Sequence, residues 1–205
     1  MIKLARHRIL WDSVSPASWL FGGGLLIMAS DRLAHAIITL GALVWVYCLS
    51  SLAVHAGGRI FPRQGKVALL VFLASFIASV FLFLLWIISP FSALKMFFVI
   101  SLVPVICLGS GFFERIETLS LGEKVFASIS EALILGVLIM IFAFIREPLG
   151  FLSLSLPGGA LGIILLFSFD TDAFLPIHVV ASSSGALLLL GYSLGLYRFF
   201  KEGKQ

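Results

Sequence analysis

Charged residues punctuate a chain that is otherwise almost continuously apolar. Ser13 to Ser30 is a run of 18 uncharged residues between Asp12 and Asp31, interrupted by Gly22, Gly23 and Gly24. Ala36 to Val54 follows, between His35 and His55. Val67 to Leu94 is a third run of 28 residues, in which Ser89-Pro90 marks a helix end. Met96 to Phe113 is a fourth, containing Pro104, Gly109 and Gly111; Val125 to Ile145 is a fifth and carries Glu131; Ala173 to Tyr197 is the last. None alternates with period two, so the pattern predicts membrane helices rather than barrel strands. Pro148 to Phe169 is uncharged too, but Pro148, Pro157, Gly158 and Gly159 break its first half, which suits a re-entrant or interfacial piece better than a span.

Composition agrees with the pattern. Hydrophobic residues make up 60% of the 205 and charged residues only 12%, against about 25% in a soluble domain. Such a chain cannot cover a water-facing surface. The expected fold class is all-α integral membrane: one transmembrane domain over residues 1–205, with lipid as its solvent. The net charge of +4 is dispersed and forms no nucleic-acid footprint. Cys48 and Cys107 both lie in apolar runs, which argues against a disulfide framework. Met1 to Asp12 is basic but lacks the cleavage pattern of a signal peptide.

Basic residues orient the spans. With six helices, one side carries Lys3, Arg6, Arg8, Arg59, Arg63, Lys66, Arg115, Lys124, Arg198, Lys201 and Lys204, and the other only Arg32, Lys95 and Arg146. A seventh span would move the C-terminus across and nearly equalise the sides. Six spans with both termini cytoplasmic is therefore the expected topology.

Six spans divide into two three-helix halves, about residues 10–90 and 91–199, in opposite orientations. Each half opens with a glycine-interrupted run, at Gly22–Gly24 and at Gly109–Gly111. Broken first and fourth helices in an inverted repeat would expose backbone groups near the midplane. Glycines that merely allow close helix packing explain the same spacing.

Four stretches carry a family resemblance. Leu10-Trp11 and Leu20-Phe21-Gly22 open the chain; Cys107-Leu-Gly-Ser-Gly111-Phe-Phe-Glu114 ends the fourth run; Arg146-Glu147-Pro-Leu-Gly150 closes the fifth; Phe169-Asp-Thr-Asp172, with Gly185-Ala186 and Gly191, surrounds the start of the last. In order and spacing these resemble the paired six-helix membrane subunits of the Rnf and Nqr complexes, ion-translocating oxidoreductases of bacterial cytoplasmic membranes. The nearer likeness is to the Rnf E-type or Nqr D-type subunit. The resemblance implies a subunit that contributes to an electron and cation path, with an inverted paralogous six-helix partner and flavin and iron–sulfur subunits alongside. In that family each paired subunit gives one cysteine from each broken helix, and four thiolates hold a 2Fe–2S cluster. Cys107 matches the second cysteine position. Gly24 falls where the first cysteine would stand. The resemblance thus admits a degenerate structural paralogue without a cluster, and the inverted repeat alone admits a small-solute transporter.

Single residues keep two readings each. Cys107 is a cluster ligand or an inert buried thiol. Glu131 lies on an ion path, or pairs near the cytoplasmic end of its helix. Glu114 would fix the break by accepting backbone or basic donors. Ser110 with His178 lacks the Gly-x-Ser-Gly of rhomboid-type proteases, and Ser184-Gly185-Ala186-Leu187 lacks the threonine of a covalent flavin site.

Overall fold

The computed structural model describes residues 16–57, 65–117, 119–158, 162–168 and 177–202. The N-terminal Leu10-Trp11, the basic residues up to Arg8, Arg59 and Arg63, and Phe169 to Asp172 lie outside them. Eight helices and one hairpin follow in order: α1 (Pro16–Ala29), α2 (Leu33–Gly57), α3 (Lys66–Ile88), α4 (Pro90–Gly109), α5 (Phe112–Glu117), α6 (Leu121–Phe151), β1 (Ser153–Pro157), β2 (Ile163–Ser168), α7 (His178–Ala181) and α8 (Ser183–Glu202).

Four of these, α2, α3, α4 and α6, are long and apolar enough to cross a membrane. The fold is that of a mostly helical, multi-pass membrane protein. α1 has 14 residues, about 21 Å of helix, less than the roughly 20 residues a span needs. α8 has 20 residues but ends on Tyr197-Arg-Phe-Phe-Lys-Glu202, and is too polar to count by the same measure.

The central element is α2, which packs against α3, α4, α6 and β1. α2 and α6 run antiparallel: Leu33 at the start of α2 meets Glu147 near the end of α6, and Tyr47 further along meets Glu131. α3 and α4 are joined by Ser89 alone, whose extended backbone (φ −151°) feeds Pro90 at the first helical position. Proline fits there because its missing N–H would have no partner within the helix anyway. The fourth helix therefore starts at Pro90, one residue after the third ends. Leu25, Leu43, Val46, Ile100, Val103 and Ile139 form the core between α1, α2, α4 and α6. α3 buries only Leu70, Ala74, Ile77 and Ala78, leaving Phe72, Phe76 and Phe83 exposed. In lipid such faces are solvated, so packing rather than water exclusion holds the helices together.

Three expectations are corrected here. The first helix is not broken at its glycines: α1 runs through Gly22, Gly23 and Gly24 as one helix. Glycine lowers helix propensity by only about 1 kcal/mol per residue, a cost outweighed by keeping the backbone hydrogen bonds inside the helix. Pro148 does not end the fifth helix: α6 continues to Phe151, and the turn comes at Leu152, in the left-handed region (φ 51°). Finally, the fold is not all-α: within the stretch read as re-entrant or interfacial rather than a span, β1 and β2 form an antiparallel hairpin, with Ser153 opposite Ser168, Pro157 opposite Ile163 and a bulge at Leu154/Ser155. It is the exception to an otherwise helical fold among the described residues.

Candidate functional site

Two polar constructions interrupt the apolar bundle, one toward each end of α2. The first is the helix break after Cys107. α4 stops at Gly109; the Ser110 N–H still donates to the Ile106 carbonyl (2.9 Å) and the Gly111 N–H to the Leu108 carbonyl (3.1 Å), and α5 then restarts at Phe112. Gly111 adopts φ +64°, where a Cβ is strained, so glycine is required at this turn. Arg115 holds the break shut. Its Nη2 donates to the Ser110 carbonyl at 3.0 Å, and the same guanidinium pairs with Glu131 on α6. Lys66 and Glu117, 2.5 Å apart, tie the start of α3 to the end of α5 at the same end of the bundle.

Cys107 lies immediately before this break with no exposed surface. Tyr47 from α2 lies beside the Cys107 thiol and Ser110, and its ring meets that of Phe112 at 4.6 Å between centroids, tilted by 56°. The break is thus lined by Tyr47, Cys107, Ser110, Phe112, Arg115 and Glu131.

The second construction is at the opposite end, around Arg146 and Glu147. Both are buried in α6, at 1% and 0% exposure. Arg146 uses every donor it has. Nε donates to Val180 O (3.1 Å), Nη1 to Ile27 O (3.0 Å) and Ser30 Oγ (2.5 Å), and Nη2 to Ala181 O (2.9 Å) and Ser182 O (3.2 Å). Five N–H groups in a planar fork meet five acceptors. Glu147, about 100° further round the helix, accepts the Leu33 N–H through Oε2. The cation therefore gathers carbonyls where α1 and α7 end, and the anion caps α2 where it begins, each matching the sign of the helix dipole. Asp31 Oδ1 accepts from the Arg32 N–H (2.8 Å) and meets His35 Nδ1 (2.7 Å), and Arg32 lies 4.7 Å over the Phe151 ring.

The residues singled out in the sequence divide accordingly. Cys107, Gly109, Gly111 and Glu131 come together at the break. Gly22, Gly23 and Gly24 lie on the continuous α1; Gly23 faces Leu190 of α8 at 4.0 Å. Cys48 is half-buried on α2 beside Tyr47 in sequence, but on another side of the helix. Glu114 is exposed, and Arg115 supplies the contacts expected of it: a carbonyl-rich turn needs donors, which a carboxylate cannot give. Glu131 pairs with Arg115. The sequence reading treated Arg146 only as a loop charge and Glu147 only as part of a motif. The signal for their burial was an Arg-Glu dipeptide flanked by uncharged stretches, Ala132 to Ile145 before it and Pro148 to Phe169 after it.

A shared 2Fe–2S cluster needs thiolates presented at an interface. Cys107 is enclosed by its own chain against Tyr47 and Phe112, and Gly24 offers no thiolate. Among the described residues no three His, Cys, Asp or Glu side chains are grouped to hold a metal ion. Of the two cysteine positions that the resemblance implies, this chain fills one, with the buried Cys107. Comparison with protein-family models, curated proteins and solved structures finds no match to the chain.

Proposed function

We propose that this chain is a non-catalytic membrane subunit of an Rnf/Nqr-like ion-translocating oxidoreductase complex, and that it fills a subunit position without ligating a cluster. The observation that carries the reading is the coincidence of the Cys107-to-Glu114 stretch, where the family likeness is strongest, with the interruption of α4 at Ser110–Gly111. The same stretch supports the cluster-free form, because Cys107 is enclosed by its own chain.

In this reading α1 and α8 complete a six-span protein of two inverted halves in a bacterial cytoplasmic membrane, with both termini cytoplasmic. The basic residues at the Arg115 end of the bundle support that orientation. Its partner is an inverted paralogous six-helix subunit, with flavin and iron–sulfur subunits in the same assembly. Exposed aromatics such as Phe72, Phe76 and Phe97 provide faces for lipid and for that partner.

The test is Cys107→Ala in the assembled complex, with iron, acid-labile sulfide and the paramagnetic cluster signal measured. An unchanged signal is expected. Loss of the signal with the complex intact would make Cys107 a ligand and overturn the cluster-free reading.

A further inference from the structure

Five buried side-chain polar atoms have no hydrogen-bond partner among the described residues, and three of them, Glu147 Oε1, His35 Nε2 and Ser155 Oγ, belong to the first turn of α2 and to elements packed against that helix. Their placement follows from the contacts around them. The Leu33 N–H holds Glu147 Oε2, so Oε1 of the same carboxylate lies at the first turn of α2. His35 belongs to that turn, is 2% exposed, and engages Asp31 through Nδ1, leaving Nε2 turned away from Asp31 across the ring. β1 packs against α2 and α6, and Ser153 and Ser155 are its buried positions. Unpaired polar atoms in a buried layer are costly, and native structures satisfy nearly all of them.

We infer that internal water occupies this end of α2, hydrogen-bonded to Glu147 Oε1, His35 Nε2 and Ser155 Oγ. The chemistry of the atoms selects the ligand. A carboxylate oxygen only accepts, an imidazole nitrogen donates or accepts according to tautomer, and a hydroxyl does both. Water, with two donors and two acceptors, satisfies all three. The surrounding charges argue against an ion. Asp31 and Arg32 from the turn and Arg146 and Glu147 from α6 sum to zero; Ser30 from α1 and Ser153 and Ser155 from β1 are neutral. An anion would meet two carboxylates, and a cation would meet the buried Arg146. Asp31, whose side chain is 37% exposed, gives the water an exchange route to the outside through His35.

The test is solid-state NMR of the full chain in lipid bilayers with nitrogen-labelled histidine, His35 being assigned by its loss in His35→Gln. Magnetisation transfer from water to His35 Nε2 is expected to be several-fold faster than to the amide of the buried Ala42. Ser155→Val, which fills the space with methyl groups, should reduce that transfer while the remaining histidine signals stay in place. Transfer to His35 no faster than to Ala42 in the unsubstituted protein would overturn the inference, as would contacts from Nε2 to a protein group in place of water.

Discussion

The backbone N–H of Leu33 donates to Glu147 Oε2 at 2.7 Å, joining the first residue of α2 to the last turns of α6 across 114 positions. The neighbouring residue, Arg146, collects carbonyls from the ends of α1 and α7. Consecutive helical residues diverge, so one dipeptide reaches three helix termini. Backbone groups that lipid cannot satisfy are satisfied here by two side chains.

Replacing Arg146 by leucine should therefore be severe. It strands the carbonyls of Ile27, Val180, Ala181 and Ser182, at about 1–3 kcal/mol for each that is left buried and unsatisfied. The double variant Arg146→Leu/Glu147→Leu should cost clearly less than the two single changes added together. Reversible unfolding in detergent measures both; a single-variant cost under about 1 kcal/mol would show that the network does not hold the bundle.

Gly111 and Gly24 should respond to alanine with opposite signs. At Gly111 the backbone is left-handed, and Gly111→Ala should destabilise by about 1–2 kcal/mol. At Gly24 the backbone is helical with open space around a Cβ, and Gly24→Ala should stabilise by about 0.5–1 kcal/mol. The same unfolding measurement reads both. Destabilisation at Gly24 would indicate a broken first helix after all.

The sequence carried the spans and one of the two breaks, for a physical reason. Apolar runs of 18 residues or more with at most one charge report lipid directly, so α2, α3, α4 and α6 were legible. The Ser89-Pro90 pair fixed the end of α3, because proline constrains its neighbour and fits the first turn of the next helix. Glycine spacing alone could not distinguish Gly22–Gly24 from Gly109–Gly111. The difference lies in Arg115, which holds the break on α4 and has no counterpart among the described residues at the glycines of α1, where the helix is continuous. The hairpin was hidden because an uncharged stretch with proline and glycine looks alike whether re-entrant or extended. The Arg146–Glu147 construction was hidden because its hydrogen-bond partners come from positions more than 30 and more than 110 residues away.

Gly136 marks the tightest approach of α6 to α2. An added Cβ would lie 2.1 Å from Leu40 Cδ1 and 3.1 Å from Leu40 Cβ. The end of Leu40 can turn, but its Cβ cannot, so Gly136→Val should cost about 1–3 kcal/mol through overpacking. Leu40→Ala in the same chain should recover part of that loss. No recovery would mean that the cost arises outside the α2–α6 contact.

Reporter fusions test the orientation. A reporter inserted after Gly158, in the hairpin, and one placed after Glu202, at the end of α8, should signal opposite sides of the membrane, with the second cytoplasmic. Signals from the same side would remove α8 as a span.

The central claim is that this chain is a structural subunit of a redox-driven ion-translocating assembly. Its most direct test is purification of the tagged chain from native membranes in mild detergent, with every co-purifying subunit identified by mass spectrometry. The account predicts a second six-helix subunit of inverted orientation together with flavin- and iron–sulfur-bearing subunits. Recovery of the chain alone as a homogeneous, stable species, or with partners that carry no redox cofactor, would contradict it.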